Sequence, residues 1–127
     1  MSDLPRPTDA ELTILRVLWQ RGPSTVRQVL EALNQDRETG YTTVLKMLQI
    51  MTEKGLVERD ESERTHVYQA KLTQEQTQQQ LVGELLEKAF GGSASQLVLQ
   101  ALAAKPASAD ELAQIRQLLN ELEGGKQ

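Results

Sequence analysis

A chain of 127 residues with no cysteine and a single histidine, His66, excludes disulfides, thiolate metal sites, a cysteine nucleophile and a histidine-rich zinc site. The longest apolar run, residues 97–104, is interrupted by Gln100 and falls far short of the ~20 residues that span a bilayer. Residues 1–6 hold no apolar stretch of the kind a secretory signal needs, so a soluble, cytoplasmic protein without a membrane partner is expected. The net charge of −4 does not advertise affinity for a polyanion. Its distribution is more informative: up to Leu72 the chain carries ten Lys/Arg against eleven Asp/Glu, and beyond it four against seven. Acidity therefore sits mostly in the tail. Aromatic residues make up only 3%, so the core must be built from Leu, Val, Ile, Met and Ala, which favours helices.

In chain order, Thr8 and Glu11 form a capping-box pattern that opens a first helix, with Leu12, Leu15, Val17, Leu18 and Trp19 apolar along it. Trp19 belongs to that apolar stripe and is expected in the core. Gly22 and Pro23 stop the helix near Arg21. Thr25 and Gln28 repeat the cap for a second helix carrying Val26, Val29, Leu30 and Leu33, which ends at Asn34 and the polar stretch 35–40. A third helix starts near Tyr41 and runs to Lys54, with Gly55 where a helix C′ glycine belongs. Two short strand candidates follow, at 56–59 and 65–69, joined by the polar tip 60–64. Tyr68 is expected in the hairpin core. Beyond Leu72 the pattern is helical throughout: Thr73 and Gln76 cap a helix to about Phe90, Ser93 or Ser95 starts another through Ala104, and Ser108 with Glu111 caps a last one to about Leu122. Residues 124–127 are expected to fray.

Three helices and a hairpin within about 70 residues are the plan of a winged helix-turn-helix. The fold class predicted is mainly α with a small β-hairpin wing, with residues 1–72 as a DNA-binding domain and 73–127 as a helical dimerisation segment. At 100° per residue the third helix sorts into two faces. Val44, Met47, Leu48 and Met51 share one; Thr42, Lys46, Gln49 and Glu53 share the other; Thr43 and Ile50 flank one side, Leu45 and Thr52 the other. Hydroxyls, an amine and an amide are the groups that base edges and phosphates require. They are equally the groups of an ordinary solvated helix face. The candidate DNA-contacting residues are Thr42, Thr43, Lys46 and Gln49 on this helix, Arg64 with His66 on the wing, Tyr41 at the helix start, and Arg27 near the start of the second helix. His66 reads first as a solvated wing position and second as a phosphate contact; Arg27 divides evenly between a backbone contact and plain surface, and Tyr41 between donating to a phosphate and packing under the turn.

The tail carries Leu81, Val82, Leu85, Leu86, Phe90, Leu97, Val98, Leu99, Leu102, Leu112, Ile115, Leu118, Leu119 and Leu122. Three short helices cannot bury that much apolar surface alone, and two-fold pairing is the commonest remedy. Leu81, Leu85, Leu86, Phe90, Leu97, Leu102, Ile115, Leu118 and Leu119 are the residues expected to make a homodimer. The acidic residues Glu84, Glu87, Asp110, Glu111, Glu121 and Glu123 read as a solvated face. No nucleophile–base pair, phosphate loop or metal spacing stands out, so a non-enzymatic protein without cofactors is predicted.

Residues 7–19 (PTDAELTILRVLW), 25–33 (TVRQVLEAL), and the run from 41–44 (YTTV) through 53–57 (EKGLV) to Arg64, Val67 and Tyr68 together resemble the BlaI/MecI/CopY family of bacterial repressors. The tail is similar more loosely, at Ser95 to Leu99, Glu111, Leu112 and Ile115 to Leu119. The resemblance implies a winged-helix dimer that binds a near-palindromic double-stranded DNA operator and blocks transcription. Where family members usually carry a basic residue this chain has Ile50, and the cysteine cluster of the copper-responsive branch is absent. The resemblance also implies release by a sensor-controlled protease cutting within the stretch 97–102. The family's Asn-Phe pair is replaced here by Gln100 and Ala101, so a differently tuned protease or another signal is expected. Two other functions fit the pattern: a ligand-responsive winged-helix regulator, and a winged-helix module that binds protein rather than DNA.

Overall fold

Helix starts in this protein are set by side chains that satisfy the orphan amides of a first turn. In the computed structural model, which describes residues 4–34 and 39–124, α1 spans Asp9–Arg21, α2 Val26–Leu33, α3 Tyr41–Lys54, α4 Gln74–Phe90, α5 Ala94–Ala104 and α6 Ala109–Gly124. Full capping boxes stand at Thr8/Glu11 and Thr25/Gln28. The same reciprocal bonds link Thr73 with Gln76 and Ser108 with Glu111. Of the two serines that could start α5, Ser93 is the cap, accepting from the Gln96 amide at 3.2 Å. Each such cap contributes about 1 kcal/mol. Gly40, the cap of α3, has no side chain to offer, and that helix begins without a side-chain cap. The end of α3 needs a left-handed residue: Gly55 takes φ 84°, ψ 17°, and its N–H reaches the Met51 and Thr52 carbonyls. Part of the expected 35–40 loop and most of the expected frayed terminus lie outside the described residues.

The strands are β1, Val57–Asp60, and β2, Val67–Ala70, paired antiparallel with Val57 opposite Ala70 and Arg59 opposite Tyr68. Both are later than the expected 56–59 and 65–69. Leu56 is drawn into the helix end, its amide bonding to Met51 O at 2.9 Å, and Thr65 and His66 stay in the hairpin loop. β2 has a second neighbour that sequence reading missed. Ser24 and Tyr68 exchange both backbone hydrogen bonds, at 2.9 and 2.8 Å, so the residue just before α2 covers the outer edge of β2.

By packing, the chain divides into two units, residues 1–81 and 82–127, and the division falls inside α4. The expected division after Leu72 is earlier. The first turns of α4 belong with the first unit because Thr77 is buried to 1% and Gln80 Nε2 donates to Leu4 O at 3.1 Å. The first unit encloses one core: Ile14, Leu15 and Leu18 from α1, Val26 and Val29 from α2, Val44, Leu48 and Met51 from α3, with Leu56, Val57 and Tyr68 from the wing. Trp19 is half-buried at the margin of this core rather than inside it, and its indole N–H donates to Leu72 O at 3.1 Å, tying the end of the wing to α1.

The second unit contains α5, α6 and the later part of α4. Among its described residues none is buried. Val82, Leu85, Val98, Leu99, Leu112, Leu118, Leu119 and Leu122 are all exposed, Leu99 to 61% and Leu122 to 58%. No helix among the described residues is long and apolar enough to cross a membrane.

Candidate nucleic-acid interface

The inner face of α3 is fixed by burial. Val44, Leu48 and Met51 are fully enclosed, Leu45, Met47 and Thr52 are half-buried, and Thr52 returns its hydroxyl to Leu48 O at 2.7 Å. Packing those residues turns the remaining positions outward: Tyr41, Thr42, Thr43, Lys46, Gln49, Ile50 and Glu53 are all exposed. All four candidate residues on this helix thus share its solvent side. Ile50, 41% exposed on the same side, is an apolar group suited to van der Waals contact with a thymine methyl.

What orients α3 is a contact no local pattern reveals. Glu11, the N3 residue of the first capping box, is buried, and its Oε1 accepts from the Thr8 amide at 2.9 Å and from Lys54 Nζ at 2.6 Å. The start of α1 is thereby pinned to the end of α3, 43 residues later in the chain. Burial pushes the Glu11 carboxyl up, but the Lys54 hydrogen bond, the Thr8 amide and the Lys54 charge together outweigh it and hold the pKa below its ordinary value.

A second interaction joins the two helix starts of the helix-turn-helix. The Arg27 guanidinium carbon lies 5.6 Å from the centre of the Tyr41 ring, a cation–π approach between the first turn of α2 and the first residue of α3. Both side chains remain exposed. They form one cationic corner, a charged group suited to a phosphate oxygen. Arg27 and Tyr41 were separate candidates by sequence; the fold brings them together.

The wing is charged but not uniformly basic. Arg64 and His66 are exposed in the hairpin loop, and among the described residues Arg64 has no ion-pair partner. Arg59, absent from the sequence candidates, is engaged: its Nε donates to Glu61 Oε2 at 2.8 Å, and Nη2 sits 2.8 Å from the same oxygen. The Asp60 carboxylate accepts from the Ser62 amide at 2.9 Å, which lowers its pKa, and Glu58 accepts from Gln69 across the hairpin at 3.2 Å. Nothing in the spacing of these residues announced which charges would be paired; only the register of the hairpin decides that.

In the second unit, Leu85, Leu118 and Leu119 are exposed, Leu86, Phe90, Leu97, Leu102 and Ile115 are half-buried, and Gln100 and Ala101 are exposed within α5; Leu81, the last residue of the first unit, is half-buried. Among the described residues no group of three or more His, Cys, Asp or Glu could hold a metal ion.

Comparison with known proteins places this arrangement. The transcriptional regulator BlaI of Mycobacterium tuberculosis is 35% identical over 126 residues, covering 98% of this chain and 91% of that protein. The penicillinase repressor of Bacillus licheniformis is 23% identical over 121 residues, covering 95% of this chain and 94% of its own. The solution structure of B. licheniformis BlaI, as a monomeric form in complex with the blaP half-operator, superposes with a TM-score of 0.51 at 24% identity, over 58% of this chain and 90% of that one. That likeness supports the winged-helix fold. The family model described as penicillinase repressor matches residues 7–121, nearly the whole chain, and the protein therefore belongs to the penicillinase repressor family.

Proposed function

We propose that this protein is a DNA-binding transcriptional repressor that acts in the cytoplasm as a homodimer on a near-palindromic operator. The observation that carries the reading is the outward side of α3, where hydroxyl, amine and amide groups stand clear of the core on a helix whose opposite side is anchored by the buried Val44, Leu48 and Met51. In this reading Lys46 and Gln49 read base edges in the major groove, Thr42 and Thr43 contact bases or the adjoining backbone, and Arg27 with Tyr41 grips a phosphate. Arg64 and His66 meet the backbone from the wing. The related B. licheniformis repressor has been captured as a monomer on half an operator, which supports one chain per half-site here.

Pairing is assigned to residues 82–127, with Leu81 at the boundary. Exposed leucines on a unit that buries nothing of its own support that assignment, since a second copy is the simplest cover. Release from the operator would follow from severing the pairing helices. Gln100 and Ala101 are exposed in α5 but helical, so a sensor-controlled protease must unwind a turn to cut there. An immunoblot during β-lactam exposure separates this route from another signal: a shortened chain ending at or beside Gln100 supports cleavage, and full-length protein during derepression overturns it.

The test of DNA reading is a binding titration on the DNA upstream of the gene. The Lys46→Ala, Gln49→Ala double variant should lose about 1–3 kcal/mol for each base contact and lose sequence preference, while Arg27→Ala should weaken all duplexes alike and reduce the salt slope by about one. Unchanged operator affinity in the double variant would overturn the assignment.

A further inference from the structure

The wing sits poorly with simple attraction to a phosphate backbone. Its fourteen positions from Val57 to Ala70 carry four carboxylates, Glu58, Asp60, Glu61 and Glu63, against two guanidiniums, Arg59 and Arg64. One of those two is occupied. Arg59 lies opposite Tyr68 in the hairpin register, and its guanidinium closes on Glu61 in the turn through both Nε and Nη2. The Tyr68 hydroxyl and Glu61 both favour the charged form of Arg59 and raise its pKa further. Arg59 stands on β1 directly opposite the buried Tyr68, so its backbone is held in the sheet. Glu61 by contrast is in the loop, its side chain 54% exposed, and can leave without disturbing the strands.

A carboxylate held end-on against a guanidinium occupies the place that a phosphate oxygen would take. From this geometry we propose that Glu61 is an affinity-determining residue: it holds Arg59 in an internal pair that must exchange for a DNA phosphate when the wing lands. The proposal rests on the reading that the wing meets the DNA backbone. The cost falls on every duplex: breaking the Arg59–Glu61 pair and bringing a freed carboxylate near the backbone opposes landing of the wing. Glu61 therefore lowers affinity for DNA of any sequence, and a duplex that also satisfies α3 has further contacts with which to offset that cost.

The experiment is a salt titration of binding by full-length protein to an operator duplex and to a scrambled duplex of equal length, using wild type, Glu61→Gln, Arg59→Gln, the Arg59→Gln, Glu61→Gln double variant, Arg64→Gln, and Glu63→Gln as a control for loss of any wing carboxylate. Glu61→Gln is expected to tighten binding to the operator and to the scrambled duplex alike, several-fold, and to steepen the salt slope by about 0.9, one phosphate's worth. In the Arg59→Gln background the Glu61→Gln effect should shrink to that of Glu63→Gln. Two outcomes overturn the proposal, and they are distinguishable. If Arg59→Gln and Arg64→Gln both leave affinity and salt slope unchanged, the wing does not meet the backbone and the underlying reading falls too. If Arg59→Gln weakens binding but Glu61→Gln acts equally with and without Arg59, the wing reading stands and the exchange does not.

Discussion

The first unit and the second unit of this chain draw on similar apolar residues and use them differently. In residues 1–81, three helices and a hairpin converge on eleven buried apolar side chains, and the polar face of α3 is what remains outside. In residues 82–127, leucines and valines line three helices and none is buried within the single chain. The difference lies in closure rather than composition. Helices that cross with a sheet edge beneath them can surround a residue on all sides. A few short helices leave one side of every leucine open, and the fraction of surface a unit can bury falls with its size. A unit complete in itself can present a rigid surface to DNA, and one left open is suited to receiving its like.

The sharpest way to break this contrast is to separate the halves. A fragment ending at Leu81 keeps Thr77 and the α4 turns that pack on the first unit. It should stay folded by circular dichroism, be monomeric by light scattering, and bind operator about 10²–10⁴-fold more weakly, because the gain from gripping two half-sites together is lost. A fragment that remains a stable dimer would place pairing in the first unit. Next in size is a matched pair of truncations. Leu48→Ala removes a fully enclosed side chain from α3 and should cost about 2–5 kcal/mol in chemical denaturation. Leu118→Ala, at a residue 54% exposed, should change the unfolding of a dilute monomer by no more than about 0.5 kcal/mol, while raising the dimer dissociation constant. Equal destabilisation by the two would mean that the tail closes a core of its own.

A narrower test concerns the pin between α1 and α3. Glu11→Gln should cost about 1.5–3 kcal/mol at neutral pH, the range for a hydrogen bond to a charged partner. The sign of its pH dependence follows from the lowered pKa of Glu11. The unfolded carboxyl binds its proton more readily than the folded one, so the Glu11 contribution is complete above about pH 4.5 and is lost as pH falls through the lower folded value. The stability gap between wild type and Glu11→Gln should therefore close on acidification. A gap unchanged between pH 7 and pH 3 would show that the Lys54 contact contributes nothing through charge.

What the sequence by itself determined is whatever short-range chemistry controls. Thr8, Thr25, Thr73 and Ser108 start helices because a hydroxyl three residues from an amide reaches it in any context. Gly55 ends α3 because only glycine enters the left-handed region without strain. The two faces of α3 follow from a period of 3.6 residues, and every candidate reader on it is exposed. Tertiary structure decided what depends on residues far apart in the chain or on strand register. The burial of Glu11 against Lys54, the Ser24 bridge to the edge of β2, the indole of Trp19 on Leu72 and the meeting of Arg27 with Tyr41 each join separate elements. The capture of Arg59 by Glu61 spans two positions, yet it too depends on where the hairpin turns. A charge in a sequence shows only that it exists; whether it is spent on a neighbour or left for DNA depends on distance, because Coulomb attraction and hydrogen bonding act over a few ångströms of space and not along the chain.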